Sequence, residues 1–159
     1  MAQSMDSKQF SFLQDLVHID VDAVTLYDAA LKTIASPVVE QALMEFRSDH
    51  LRHIRELNDC IERLGGQRVR IETSIELCER HGFTPIREGM PMEALIMAMV
   101  DGENITNKTY ERVLKEDWDP EVRSLLDRNF ADEQRHLLWV LNASRTRLWE
   151  QAEGVQPGV

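Results

Sequence analysis

Apolar residues recur at alternating three- and four-residue steps along four long stretches of the chain, the spacing of a single helical face. The first stripe runs through Phe10, Leu13, Val17, Val24, Tyr27, Leu31 and Ile34, with Asp20 set into it. Ser36-Pro37 then reads as a cap followed by a first-turn proline. The second stripe holds Val39, Leu43, Phe46, Leu57, Cys60 and Leu64, with His50 and His53 among them, and Gly65-Gly66 ends it. So short a turn between two long helices predicts antiparallel neighbours. A third helix is expected from about Pro91, through Met92, Ile96, Met99, Glu103, Thr106, Tyr110 and Val113. Asp119-Pro120 repeats the start signal, and Val122, Leu126, Asn129, Glu133, His136, Val140 and Ala143 form the fourth stripe. Residues 66–90 break the pattern with mixed polar residues, Gly82, Pro85 and Gly89, leaving a short helix near Thr73–His81. The expected fold is all-α: two antiparallel helical hairpins joined by a long crossover, in one domain over 1–159. Its helical core would run from about residue 8 to 150, with a frayed tail over 152–159. Helices of roughly 26–30 residues would span about 40–45 Å.

The two hairpins are related. Sliding residues 20–57 onto 103–140, an offset of 83, matches nine of 38 positions. They are Tyr27/Tyr110, Leu31/Leu114, Lys32/Lys115, Pro37/Pro120, Val39/Val122, Leu43/Leu126, Asp49/Asp132, Arg52/Arg135 and His53/His136. Unrelated segments would share about two or three. Asp20 falls on Glu103, so the repeat duplicates a carboxylate, a tyrosine and a histidine at fixed spacing. That is a chemical unit as well as a packing unit.

Six polar residues occupy positions where the stripes demand core: Asp20, His50, His53, Glu103, Glu133 and His136. Each lies near the middle of its helix, and in an antiparallel bundle the midpoints share one layer. Three carboxylates buried there must be paired, protonated or bound to a cation. No Lys or Arg falls on these stripes, so a metal ion is the most economical counter-charge. Three imidazoles with three carboxylates make a mixed nitrogen and oxygen set suited to iron, manganese or zinc. Glu133 and His136 stand three apart, where both can reach one ion. His18 and His81 fall off the stripes and are expected to be solvated.

Composition narrows the partners. Of 159 residues, 28 are acidic and 18 are Lys or Arg, a formal charge of −10 that disfavours nucleic acid. The two cysteines, Cys60 and Cys78, lack the spacing of a metal or redox motif and read as buried thiols. No apolar run approaches a membrane span and no signal-peptide pattern opens the chain, so a cytoplasmic location is the expectation.

A core carboxylate followed 30 residues later by a motif residue, in both hairpins (Asp20 to His50, Glu103 to Glu133), resembles the ferritin-like superfamily of di-iron carboxylate proteins. Bacterioferritin and rubrerythrin belong to it, and its pattern is a Glu from each of two helices with E-x-x-H from each of the other two. By that resemblance Asp20 and Glu103 are the first- and third-helix carboxylates, His53 is the second-helix histidine, and Glu133 with His136 is the fourth-helix motif. Asp49 and Asp132 match an Asp that hydrogen-bonds a ligand histidine from the opposite hairpin. Tyr27 and Tyr110, two turns past Asp20 and Glu103, could hydrogen-bond ligands or donate electrons, beside a plainer reading as core aromatics. His50 departs from the pattern, standing where the family has a bridging Glu; an imidazole can ligate one ion but cannot bridge as a carboxylate does.

The resemblance implies a four-helix bundle holding two transition-metal ions, iron first, with manganese or zinc as alternatives. It implies oxidation of Fe(II) with O₂ or peroxide, in iron handling or oxidative-stress defence, by a ferroxidase- or peroxidase-type protein. A homodimer is expected over a storage cage, and a separate electron donor is required because no CxxC pair is present. The rival reading is an interaction or assembly module that keeps the fold with a weakened or redox-inactive site. A metalloenzyme acting on an organic substrate ranks below both, since such relatives use larger chains.

Overall fold

The computed structural model describes residues 5–151; the tail expected over 152–159 lies outside them. Helix α1 (Ser7–Thr33) opens on a capping box in which Asp6 accepts from the Gln9 backbone and the Gln9 side chain accepts from the Asp6 N–H. Helix α2 (Pro37–Arg63) begins at the expected Ser36 cap with Pro37 in its first turn. It stops where Gly65 takes φ of +92° and Gly66 N–H bonds back to the Ile61 carbonyl. Gly66 also lies against the Phe10 ring, where an added Cβ would come within 2.5 Å of a ring carbon. The start of α1 is thereby seated on the end of α2.

The crossover holds one short helix, α3 (Ile75–Arg80), capped by Ser74. It is shorter than the stretch expected over Thr73–His81, because the Ser74 hydroxyl captures the Leu77 N–H and His81 already closes the last turn. Helix α4 (Met92–Val113) has 22 residues, fewer than expected. Pro91 cannot extend it backwards, and its far end turns at Leu114, where the Trp118 indole N–H binds the Val113 carbonyl. Helix α5 (Pro120–Thr146) starts at Asp119-Pro120 and ends on Arg147, a left-handed residue with φ of 49°, before a single 3-10 turn, Leu148–Glu150.

Helix α1 packs against α2 and α4, α4 packs against α5, and the seam between α2 and α5 is the loosest of the four. Gly102 of α4 makes the α1–α4 approach possible, since a Cβ there would sit 2.6 Å from Leu26. No described helix is long and apolar enough to cross a membrane.

The apolar core is not continuous. One cluster gathers Leu26, Ala30, Val39, Leu43, Leu95, Ile96, Met99 and Val140 towards one end. A second gathers Leu13, Leu16, Val17, Leu57, Ile61, Val113, Val122 and Leu126 towards the other. Between them lie the six buried polar stripe residues. Cys60 and Cys78 are buried, and burial pushes both thiols up, Cys78 to about 12.

Candidate metal centre

Each long helix delivers its polar stripe residue to the middle layer: Asp20 from α1, His50 and His53 from α2, Glu103 from α4, Glu133 and His136 from α5. All six are at most 2% exposed. They fall into two overlapping groups whose ligand-capable atoms lie within 4.8 Å of one another. Asp20, His50, His53 and Glu133 form one; His50, Glu103, Glu133 and His136 form the other. His50 and Glu133, three residues before His53 and His136 on facing helices, are common to both.

The outer contacts repeat with the duplication, and they cross between hairpins. His53 Nε2 lies 3.0 Å from Asp132 Oδ2, and His136 Nε2 lies 2.8 Å from Asp49 Oδ2. An ionised carboxylate only accepts, so each Nε2 carries the proton and each Nδ1 faces the centre. Tyr110 Oη donates to Asp20 Oδ2 at 2.7 Å, and Tyr27 Oη donates to Glu103 Oε1. Each tyrosine therefore clamps the carboxylate of the other hairpin, not the one two turns before it on its own helix.

Two groups break the symmetry. His50 Nδ1 is 2.7 Å from Asp20 Oδ1, and its Nε2 is 3.4 Å from Glu103 Oε1, so it reaches both outer carboxylates. Glu133, its counterpart, has neither oxygen hydrogen-bonded, although His50 and His53 Nδ1 stand 3.3 and 3.2 Å from its Oε1 in poor alignment. His136 Nδ1 is likewise without a partner. Three buried polar atoms without hydrogen-bond partners in one layer are atoms that a bound cation could satisfy. Carboxylate oxygens and imidazole nitrogens fit iron, manganese or zinc.

The charges follow. Burial alone would depress the His50 imidazole, but Glu133 foremost, with Asp20 and Glu103, holds it well above its usual range. For His53 the same opposition, led by Asp20 and Asp132, leaves the imidazole at about 11. His136 is raised against burial by Asp49 and Glu133. Burial would raise Glu133, but the His50 charge above all, with His136 and His53, keeps it well below the ordinary carboxylate range. Burial, then Glu103 and Asp20, pushes the Tyr27 and Tyr110 phenols well up, so both remain donors. The imidazolium protons thus neutralise the buried carboxylates.

Several supporting contacts are not given by the stripes, although Thr106 and Phe46 lie on them. Thr106 Oγ1 donates to Glu103 Oε2 at 3.2 Å, and Asn107 Nδ2 ties α4 to the Glu133 carbonyl at 3.0 Å. Phe46 stacks on the His136 ring with centroids 4.3 Å apart. Arg52 and Arg135 bind the aspartates that hold the histidines, and their identity in the repeat was the available signal. Outside the centre, His18 is exposed as expected; His81 is exposed too, yet pairs at 2.5 Å with the buried Asp22.

No curated protein matches this sequence. Among solved structures, the bacterioferritin of Desulfovibrio desulfuricans, described with its diiron site in different catalytic states, superimposes with a TM-score of 0.61. The alignment covers 89% of this chain and 86% of that one at 16% identity, a likeness that shows the ferritin-like fold. Residues 8–116, from α1 to just past α4, match the family described as Domain of unknown function (DUF2383), and the protein is a ferritin-like member of that family.

Proposed function

We propose that this chain binds two transition-metal ions, iron foremost, in the middle of its bundle and oxidises Fe(II) with O₂ or peroxide, in iron handling or oxidative-stress defence. The observation that carries this reading is the open trio of Glu133 Oε1, Glu133 Oε2 and His136 Nδ1, buried between two ligand sets. His53 and His136 would each hold one ion through Nδ1, Asp20 and Glu103 would cap the ends, and Glu133 would serve both. Bound iron supplies the electrons that reduce O₂ or peroxide.

The chain supplies the rest. Asp132 and Asp49 keep the Nε2 protons and so leave Nδ1 as the donor atom. Tyr110 and Tyr27 fix the outer carboxylates, and the two apolar clusters keep water from the layer. A first ion would be held by Glu103, Glu133 and His136. There His136 Nδ1 stands 3.8 and 3.7 Å from the carboxylate oxygens with no hydrogen bond to break. The Asp20 end is closed by contacts of 2.7 and 3.2 Å to His50 and His53, which must open for a second ion. With three carboxylates and not four, the residues would hold oxidised iron less firmly than a full carboxylate set would.

His50 also favours the second reading, a ferritin-fold assembly module, because its pairing with Asp20 closes half the layer on itself. Metal analysis of the purified protein, then anaerobic Fe(II) loading and exposure to oxygen or peroxide, separates the two. Uptake of two Fe(II) per chain, followed by the near-ultraviolet absorption of oxidised iron, is expected. A chain that takes up none is the assembly module. A homodimer in the cytoplasm, served by a separate electron donor, completes the proposal.

A further inference from the structure

On the α2–α5 seam, directly above the two ligand histidines, four charged side chains close a ring. Arg52 donates through Nη2 to Asp132 Oδ2, the oxygen that holds His53, and through Nη1 to Asp49 Oδ1 at 3.1 Å. Arg135 donates to Asp49 Oδ2, the oxygen that holds His136, and lies 3.5 Å from Asp132 Oδ1. The two arginines occupy equivalent places in the repeat, each just before its histidine, and each crosses to the opposite hairpin.

We infer that Arg52 and Arg135 are positioning residues of the metal centre, and that Arg52 couples its two ends. The inference rests on the two-metal reading above. The Asp49 and Asp132 side chains are 15% and 20% exposed, so water competes for their oxygens. A carboxylate free to turn outward releases the histidine Nε2, and the imidazole then loses the orientation that aims Nδ1 inward. The planar guanidinium fork of Arg52 gives one N–H to each aspartate and so fixes the two carboxylates relative to one another, which a point charge cannot do. Arg135 makes its shortest contact to one aspartate, whereas Arg52 donates to both and is the less exposed, 39% against 58%. Two guanidinia also cancel two carboxylates, so the aspartates orient the histidines without adding net charge to the layer.

Cobalt(II) titration of the full chain, read by its visible ligand-field bands, tests this. Arg135→Met is expected to weaken one cobalt step by about tenfold and shift its band, the size seen when an outer partner of a metal ligand is lost. Arg52→Met is expected to weaken both steps. Arg52→Lys, the milder variant should the first not fold, keeps the charge without the fork and weakens both by a smaller factor. Added to Asp49→Asn, Arg135→Met should cost nothing more, because the arginine acts through that carboxylate. If these arginines only tie α2 to α5, the variants lower the thermal midpoint of the metal-free chain while both affinities and bands stay put; that result overturns the inference, as does full additivity with Asp49→Asn. Wild-type protein that takes up no cobalt overturns the metal reading and this inference with it.

Discussion

The two ends of the buried layer are built from the same repeat and yet differ at their centre. At each end a histidine gives Nε2 to an aspartate of the other hairpin, and a tyrosine of the other hairpin clamps the carboxylate. At the Asp20 end, both imidazoles of α2 already rest on the carboxylate. At the Glu103 end, Glu133 and His136 keep atoms open, and Phe46 stacks on the histidine where the repeat has Asn129 on the other side. One substitution in the repeat, His50 opposite Glu133, accounts for most of this. Duplication reproduces the frame of crossed aspartate and tyrosine contacts, and the unmatched pair at its middle leaves the two ends differently hydrogen-bonded.

Replacing Glu133 by Ala should have the largest effect, because both ligand sets share it. Loss of both cobalt or Fe(II) steps by more than about 100-fold, beyond the ~10–100-fold typical of an outer partner, is expected in anaerobic titration. One ion retained at full affinity would show that the ends are independent. The contrast sharpens with His136→Ala and His53→Ala. The first should remove the tighter step and the second only the weaker, each by about 100-fold or more by the same measure; equal losses would erase the proposed order of filling.

His50→Glu tests the asymmetry directly. A fourth carboxylate should tighten the second ion and speed Fe(II) oxidation in a stopped-flow assay, while the metal-free chain, with two imidazoles left against four carboxylates, loses stability. Unchanged oxidation would mean position 50 is not where the ends differ in chemistry.

Protonation gives a smaller, graded effect. His53 sits at about 11 in the fold against 6.5 in its ordinary state, so its contribution is fully present below about pH 6.5 and is lost as pH rises toward 11. Denaturant midpoints of the metal-free chain should fall from pH 7 to pH 10, and metal uptake should release protons and tighten as pH rises. A flat midpoint would remove the imidazolium from the picture. The smallest change is expected from the tyrosines. Tyr110→Phe leaves Asp20 Oδ2 without its donor, at about 1.5–3 kcal/mol for a bond to a charged group, while Tyr27→Phe leaves Glu103 still held by Thr106. Calorimetry showing the two variants equal would count against that distinction.

Much of this was readable along the chain. Helical spacing and the paired Ser36-Pro37 and Asp119-Pro120 signals locate four helices, because these are local effects of periodicity and capping. Six polar residues on apolar stripes identify the layer, because burying a charge demands a partner whatever the fold. Helix lengths were less legible: α4 starts after Pro91, and at its far end the Trp118 indole N–H reaches back to the Val113 carbonyl, a side-chain contact that helical spacing does not encode.

What needed three dimensions is who meets whom. No spacing rule says that Tyr27 serves Glu103, that Arg52 reaches Asp132 and Asp49 together, or that His50 touches both outer carboxylates while the Glu133 oxygens accept no hydrogen bond. Sequence by itself determined the elements and the need for a counter-charge, since both depend on neighbours within a turn or on the cost of burial. Tertiary structure alone decided the crossed pairing and the open end, since those depend on how four rigid helices are rotated against one another.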